Sequence, residues 1–246
     1  MNLFICIILP FLGTTIGSAM VFIIKTKKYD KLKKILLGFS SGIMLASSVW
    51  SLLIPSTQIA QKTYTLSWFP ASLGFTLGVL FIVITSHFFP EKTNGELTTK
   101  KMIFAVTLHN IPEGICVGVA TASAIFGNVI PIESALTLSI GIAIQNLPEG
   151  AIISMPLASS GKKKFRSFID GMLSGIVEPI SAVITILLTS TATIILPYFL
   201  AFSAGAMIFV VAEDLIPESK SDSNYFGSVG VCFGFLLMMV LDIALG

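Results

Sequence analysis

The sequence predicts an all-α membrane protein of eight transmembrane helices, containing inverted repeats and placing both termini on the extracytoplasmic side. Three observations carry this. Hydrophobic residues make up 54% of the 246-residue chain, charged residues only 11%, and the mean hydropathy is +0.92. A soluble domain lacks the polar surface to cover such a composition. Apolar runs of the roughly 20 residues needed to cross a hydrocarbon core about 30 Å thick recur along the chain. Lysine and arginine, finally, fall almost wholly in alternate connections.

The runs divide into eight spans near 3–24, 35–56, 67–88, 102–124, 131–157, 167–190, 194–216 and 226–245, forming one domain over 1–246. Every backbone polar group in lipid must be satisfied internally, and the alternating ten-residue patterns of barrel strands are missing, so the spans are helices. The first, LFICIILPFLGTTIGSAMVFII, has no basic leader and is too long for a signal-peptide core, so it is expected to be retained. Cys6, Cys116 and Cys232 stand singly in apolar spans without paired spacing and are expected to be small core residues.

Orientation follows from the basic residues, which accumulate on the cytoplasmic side. Lys25, Lys27, Lys28, Lys31, Lys33 and Lys34 fall in the first connection. Lys92, Lys100 and Lys101 fall in the third, Lys162, Lys163, Lys164 and Arg166 in the fifth, and Lys220 in the seventh. Fourteen of the fifteen thus share one side, with Lys62 alone on the other. Both termini are therefore expected outside, and KKK at 162–164 is a topology signal rather than a binding site. The partners expected are the lipid bilayer and small cations, not nucleic acid.

Two hexapeptides, HNIPEG at 109–114 and QNLPEG at 145–150, put a proline and a carboxylate inside apolar spans. At 1.5 Å of rise per residue, Glu113 and Glu178 lie roughly 17 Å from the cytoplasmic face, while Gln145 and Glu149 lie roughly 21–27 Å from the outer one. Met44 falls near the same depth. Three carboxylates from three helices thus meet one layer, where each alone costs at least a few kcal/mol, about 3 on insertion scales. No basic residue lies at that depth, so the missing partner is a divalent cation from solution. His109, Asn110 and Glu113 share one helix face, and Gln145, Asn146 and Glu149 repeat the geometry. Pro112 and Pro148 lack an N–H and free the carbonyls of Leu108 and Ile144, which predicts broken helices lining a cavity. Gly114 and Gly150 permit close approach of neighbouring helices. Taken singly, a membrane proline is a packing kink, an Asn or Gln an interhelical hydrogen bond, a Met a gap filler. Their coincidence at one depth has no such account.

The fourth and fifth spans cross in opposite directions with the same N-[IL]-P-E-G core, which reads as an inverted repeat. SSGIML at 40–45 with LIPS at 53–56, against SAGAMI at 203–208 with LIPES at 215–219, suggests a second inverted pair with a one-residue slip. Such repeats around a midplane site are common in alternating-access transporters.

HNIPEG, QNLPEG, VEPISA at 177–182 and SSGIMLASSVWSLLIPS at 40–56 together resemble the ZIP (Zrt/Irt-like) divalent-metal transporters, within their GufA-like prokaryotic branch. The resemblance implies an eight-helix homodimeric carrier of zinc, or of Cd2+, Fe2+ or Mn2+, as substrate, with no resident cofactor. It further implies that a bundle including the fourth and fifth helices moves against a scaffold including the second and seventh. Carried over by position, Met44, His109, Glu113, Gln145 and Glu149 match the family's primary metal site. Asn110, Asn146 and Glu178 match an adjacent second site that shares Glu113 and Glu149. Asn146 stands where some relatives have Asp, which removes a charge there. The third connection lacks the His-rich stretch of many eukaryotic relatives. A prokaryotic plasma membrane is the expected location.

The remaining polar groups carry less. Glu213, Asp214 and Glu218 suit either an exit path or a solvated helix end; Asp170 suits a helix N-terminus. His87 and Glu91 are interfacial, and Asp242 and Glu133, near the outer ends, either attract cations or face water. An intramembrane metalloenzyme with His109 and Glu149 as ligands and Glu113 as base is a rival, although hydrolytic zinc centres present two or three histidines. A metal-gated channel or sensor is another.

Overall fold

The computed structural model describes residues 3–23, 29–88, 96–127, 131–189, 193–220 and 225–245, with backbone alone at 3, 29–33, 88, 96–105, 108–109, 127, 189, 193 and 245. The described residues are helical with no strand. Among the described residues seven helices are long and apolar enough to cross a membrane: α1 (Phe4–Phe22), α2 (Lys34–Thr63), α3 (Trp68–His87), α5 (Ile132–Ser159), α6 (Lys164–Leu188), α7 (Leu196–Ser219) and α8 (Phe226–Ala244). Between α3 and α5 runs α4 (Glu96–Ala122), continued by a π turn at Ser123–Gly127; the apolar stretch Asn110–Phe126 covers the end of the helix and most of that turn. The chain is a multi-pass helical membrane protein. Helices α3, α6 and α8 bear long outward apolar stripes, such as Val183, Ile184, Leu187 and Leu188 on α6, suited to lipid contact.

Lipid is as apolar as leucine, so helices in a membrane associate through close packing rather than hydrophobic exclusion. The sequence supplies small residues for this at four-residue spacing: Gly13 and Gly17, Gly38 and Gly42, Gly74 and Gly78, Gly114 and Gly118. Each pair lies against one neighbour. A Cβ on Gly13 or Gly17 would overlap the carbonyls of Ala143 or Leu147 in α5, and one on Gly38 or Gly42 those of Gly227 or Val231 in α8. Gly74 and Gly78 meet Tyr198 and Phe202 of α7; Gly114 and Gly118 meet Glu178 and Ala182 of α6. Gly171 and Gly175 of α6 abut Ser18 and Thr14 of α1, Gly150 of α5 abuts Thr14, and Gly205, Gly230 and Gly234 return the contacts of α7 with α3 and of α8 with α2. Gly227 of α8 also meets the Ser219 carbonyl of α7, and with it these seams sort the helices into two blocks, α1, α4, α5 and α6 against α2, α3, α7 and α8. Among the described glycines, only Gly141 faces across, and it meets the flexible side chain of Met238.

Several expectations change. α2 continues past 56 to Thr63 instead of ending in a connection, because a π stretch at Ser48–Leu53 lets the helix pass Pro55. α7 has a matching π stretch, Val211–Leu215, just ahead of Pro217. The first stretch has six residues and the second five. That difference equals the one-residue slip between the two sequence repeats. Pro112 and Pro148 do not break their helices, which run through both. The break occurs in α6, where Lys164–Ser174 ends at Gly175 and a second segment, Val177–Thr189, begins with Glu178 and Pro179 in its first turn.

Cys6 and Cys116 are buried as expected, but Cys232 is exposed. Gly230 and Gly234 turn one face of α8 onto α2, and a residue two positions from Gly230 points the other way. Asp170 lies well inside its helix rather than at the N-terminus, and it is paired with Lys162 and with Arg166 at 3.7 Å. Lys162 emerges from a turn in which Gly161 takes φ 95°. Since Lys162 and Arg166 are largely exposed, Asp170→Asn is expected to cost at most about 1 kcal/mol in a thermal or denaturant melt. Asp242 is half-buried and accepts a hydrogen bond from Ser51 Oγ at 2.7 Å, so it faces α2 rather than open water. Glu133, His87, Glu213 and Glu218 are exposed. Glu91 and the Lys25, Lys27, Lys28 and Lys92 positions lie outside the described residues, as do the side chains of Lys31, Lys33, Lys100 and Lys101.

Candidate metal site

The polar interior is assembled from helices α1, α2, α4, α5 and α6. On α4, Asn110 and Glu113 sit one turn apart and both are fully buried. The backbone can bring α6 this close because position 114 is glycine; any Cβ there would overlap Ser181 and the Glu178 carbonyl. Gly150 does the same for α5 and α1 beside Glu149. The two glycines of the hexapeptides therefore act as the sequence predicts, while the two prolines do not.

Each buried polar group has half its hydrogen-bonding capacity met. Gln145 Nε2 donates to Glu113 Oε1 at 2.7 Å, which ties α5 to α4. Asn110 Nδ2 donates to Glu178 Oε1 at 3.0 Å and to the Ser174 carbonyl at 3.2 Å, the latter freed by the break in α6. Asn146 Nδ2 donates to the Pro10 carbonyl at 3.4 Å. Ser40 Oγ of α2 reaches the Gln145 carbonyl at 3.2 Å and Glu149 Oε1 at 3.5 Å. Glu178 also accepts from Thr14 Oγ1 at 2.9 Å and lies in the first turn of its helical segment, where the free N–H groups favour a carboxylate.

The other half of that capacity has one chemical character. Asn110 Oδ1, Glu113 Oε2, Gln145 Oε1, Asn146 Oδ1 and Glu178 Oε2 are all buried with no hydrogen-bond partner. Buried polar atoms are rarely left so. Here the amide nitrogens are all turned outward onto carbonyls and carboxylates, which leaves five oxygens, all acceptors. Another hydrogen-bond acceptor cannot satisfy such a set, but a cation can. Asn146 stands against both Glu113 and Glu178, so the amide lies beside two of the three buried carboxylates.

Six of the eight predicted ligands, Asn110, Glu113, Gln145, Asn146, Glu149 and Glu178, are thereby brought into this one buried region. Met44 is buried in the apolar cluster that includes Cys116 and Ile142, one turn along α2 from Ser40, which does touch the region. The side chain of His109 lies outside the described residues. Among the described residues no three His, Cys, Asp or Glu side chains form a metal-holding group by themselves. Sequence reasoning missed Thr14 and Ser40. Their signal was a hydroxyl mid-span, beside the GTTIG of α1 and the GFSSG of α2.

The interior of this multi-pass helical bundle presents carboxylate and amide oxygens with no basic side chain among the described residues bonded to them. The family assignment comes from comparison with known proteins. A family model described as ZIP Zinc transporter matches residues 91–242. The chain is 32% identical over 322 residues to a Xenopus tropicalis protein named Zinc transporter ZIP11, covering 95% of this chain and 94% of that one. It is 30% identical over 249 residues to Zinc transporter GufA of Myxococcus xanthus, with 95% and 96% covered. To Zinc transporter ZIPB of Bordetella bronchiseptica it is 32% identical over 250 residues, with 96% and 79% covered. The chain belongs to the ZIP family. Members of this family are transporters and not enzymes, so the metalloenzyme reading falls away.

Proposed function

We propose that this protein carries a divalent metal ion, zinc first among them, into the cytoplasm by alternating access through the buried oxygen cluster. The observation that carries the proposal is the set of five buried, unpartnered oxygens on α4, α5 and α6. The names of the relatives supply the metal. Glu113 and Glu149 would be shared ligands, with Met44, His109 and Gln145 on one side and Asn110, Asn146 and Glu178 on the other. Carboxylate, amide, imidazole and thioether donors suit Zn2+, Cd2+ or Fe2+. Alternating access would proceed by displacement of the block α1, α4, α5 and α6 along the block α2, α3, α7 and α8. The supporting observation is that glycine-to-backbone seams lie within the blocks, while, among the described glycines, the one facing across meets a methionine side chain. With eight spans and both termini outside, the basic connections would face the cytoplasm of a prokaryotic cell, and the working unit would be a homodimer.

The test is uptake of Zn2+, Cd2+, Fe2+ and Mn2+ into liposomes containing the purified protein. Uptake of at least Zn2+ above protein-free liposomes is expected; movement of none of the four rejects the proposal. Protons compete with metal for carboxylates, so at subsaturating Zn2+ the rate should fall from about pH 7.5 outside to about pH 5.5, with the loss recovered at saturating metal. A rate that holds steady over that range rejects the competition.

A further inference from the structure

No predicted ligand comes from α1, yet α1 enters the polar interior at two points. Thr14 is fully buried and its Oγ1 donates to Glu178 Oε1 at 2.9 Å, while the carbonyl of Pro10, one turn earlier, accepts from Asn146 Nδ2 at 3.4 Å. The Thr14 side chain is itself confined. A Cβ on Gly175, the residue that ends the first segment of α6, would lie 2.8 Å from Thr14 Cβ and 2.9 Å from its Cγ2 and Oγ1. The threonine therefore fills the place left by the missing side chain at the break. Its hydroxyl caps one oxygen of the carboxylate that opens the next segment, and the other oxygen, Oε2, stays unpartnered.

We infer that Thr14 is a positioning residue for the transported divalent cation. It occupies Glu178 Oε1 and thereby commits Oε2 to the ion. This rests on the transport reading above. A free carboxylate on a flexible stem rotates, and its two oxygens are equivalent. One fixed by a hydroxyl on one side and an amide on the same oxygen has a single orientation left for its second oxygen. Partners that orient metal ligands in this way are typically worth 10–100-fold in affinity or activity. The serine one position short of the break, Ser174, cannot substitute, since its hydroxyl is spent on the Gly171 carbonyl at 2.7 Å.

The test uses the full-length purified protein and Zn2+ alone as probe. Thr14→Val keeps the shape and removes the hydroxyl; Thr14→Ser keeps the hydroxyl; Thr14→Ala serves where the valine variant is not monodisperse. Equilibrium Zn2+ titration in detergent should show affinity about tenfold weaker for Thr14→Val or Thr14→Ala, and within about threefold of wild type for Thr14→Ser. In the Glu178→Gln background, Thr14→Val should add nothing, because the two act through one carboxylate. Wild-type affinity in Thr14→Val overturns the inference. So does an equal loss in Thr14→Ser, or a full additional loss on top of Glu178→Gln, since either marks a packing effect. Titration needs no flux, so a protein that binds Zn2+ with this pattern but moves none across liposomes would overturn the transport reading and leave the positioning role standing.

Discussion

Glu113→Ala in reconstituted protein should reduce Zn2+ uptake by about 100-fold or more, the upper end of what losing a supporting partner costs. Glu113 is fully buried, its Oε1 held by Gln145 Nε2 at 2.7 Å and its Oε2 unpartnered. On the transport reading it would offer an oriented oxygen beside α5 and, once its proton is displaced by metal, a negative charge for the cation. Alanine removes that oxygen and also leaves a buried amide without its acceptor, so the loss is larger than that of the charge alone. Glu113→Gln separates the two effects: it can restore hydrogen bonding to Gln145 but not the charge, and it too should fail to transport. Glu149→Ala should fall in the same direction. Flux that survives in both Glu113→Ala and Glu149→Ala, in protein that elutes and melts like wild type, would show that the ion takes another route.

Gly150→Ala is the second large effect expected, this time through the backbone. An alanine Cβ at 150 would overlap the Thr14 carbonyl and approach Ser18 N at 2.7 Å and Ser18 Oγ at 2.9 Å. The backbone of α1 cannot rotate out of the way as a side chain would, so α1 and α5 must separate. Overpacking of this kind costs about 1–3 kcal/mol. It also breaks the Ser18 hydrogen bond to the Gly150 carbonyl, 3.3 Å, and moves Glu149, the next residue, relative to Ser40. A lowered melting temperature together with at least a tenfold loss of Zn2+ uptake, about the low end of a mispositioned ligand, is expected. An unchanged melt and full uptake would mean that the α1–α5 approach is not tight. Gly141→Ala is the control: it meets only Met238 Sδ, Cε and Cγ, the end of a flexible side chain, and should be mild.

Much of this was legible in the sequence because the cost of burial makes polar residues conspicuous in an apolar chain. Glu113, Gln145, Glu149 and Glu178 could be placed at a common depth from helical rise alone, and the structure gathers them with Asn110 and Asn146. What escaped was local geometry. Proline at 112 and 148 suggested breaks because its ring and missing N–H disfavour a helix, yet both helices absorb it, and α6 breaks at Gly175 instead, where proline follows at 179. Thr14 and Ser40 escaped for a different reason. A hydroxyl in a membrane helix can satisfy itself on its own backbone, as Thr15 does on the Phe11 carbonyl at 2.8 Å. Thr14 has the same option on the Pro10 carbonyl at 3.5 Å, but Glu178 Oε1 lies closer, at 2.9 Å; the two threonines look alike in sequence, and only the neighbouring helices decide which of them reaches across.

The distribution of glycine has a mechanical meaning. A contact between a glycine and a facing carbonyl has no torsion to turn, so it resists shear and either stays in register or parts. A contact through methionine gives way by rotating three torsions at small cost. The stiff contacts lie inside α1, α4, α5, α6 and inside α2, α3, α7, α8, and the described glycine that faces across, Gly141, meets the side chain of Met238. Ser40 reaches from one block to Gln145 and Glu149 of the other, so any displacement of one block along the other would have to remake hydrogen bonds inside the polar interior itself.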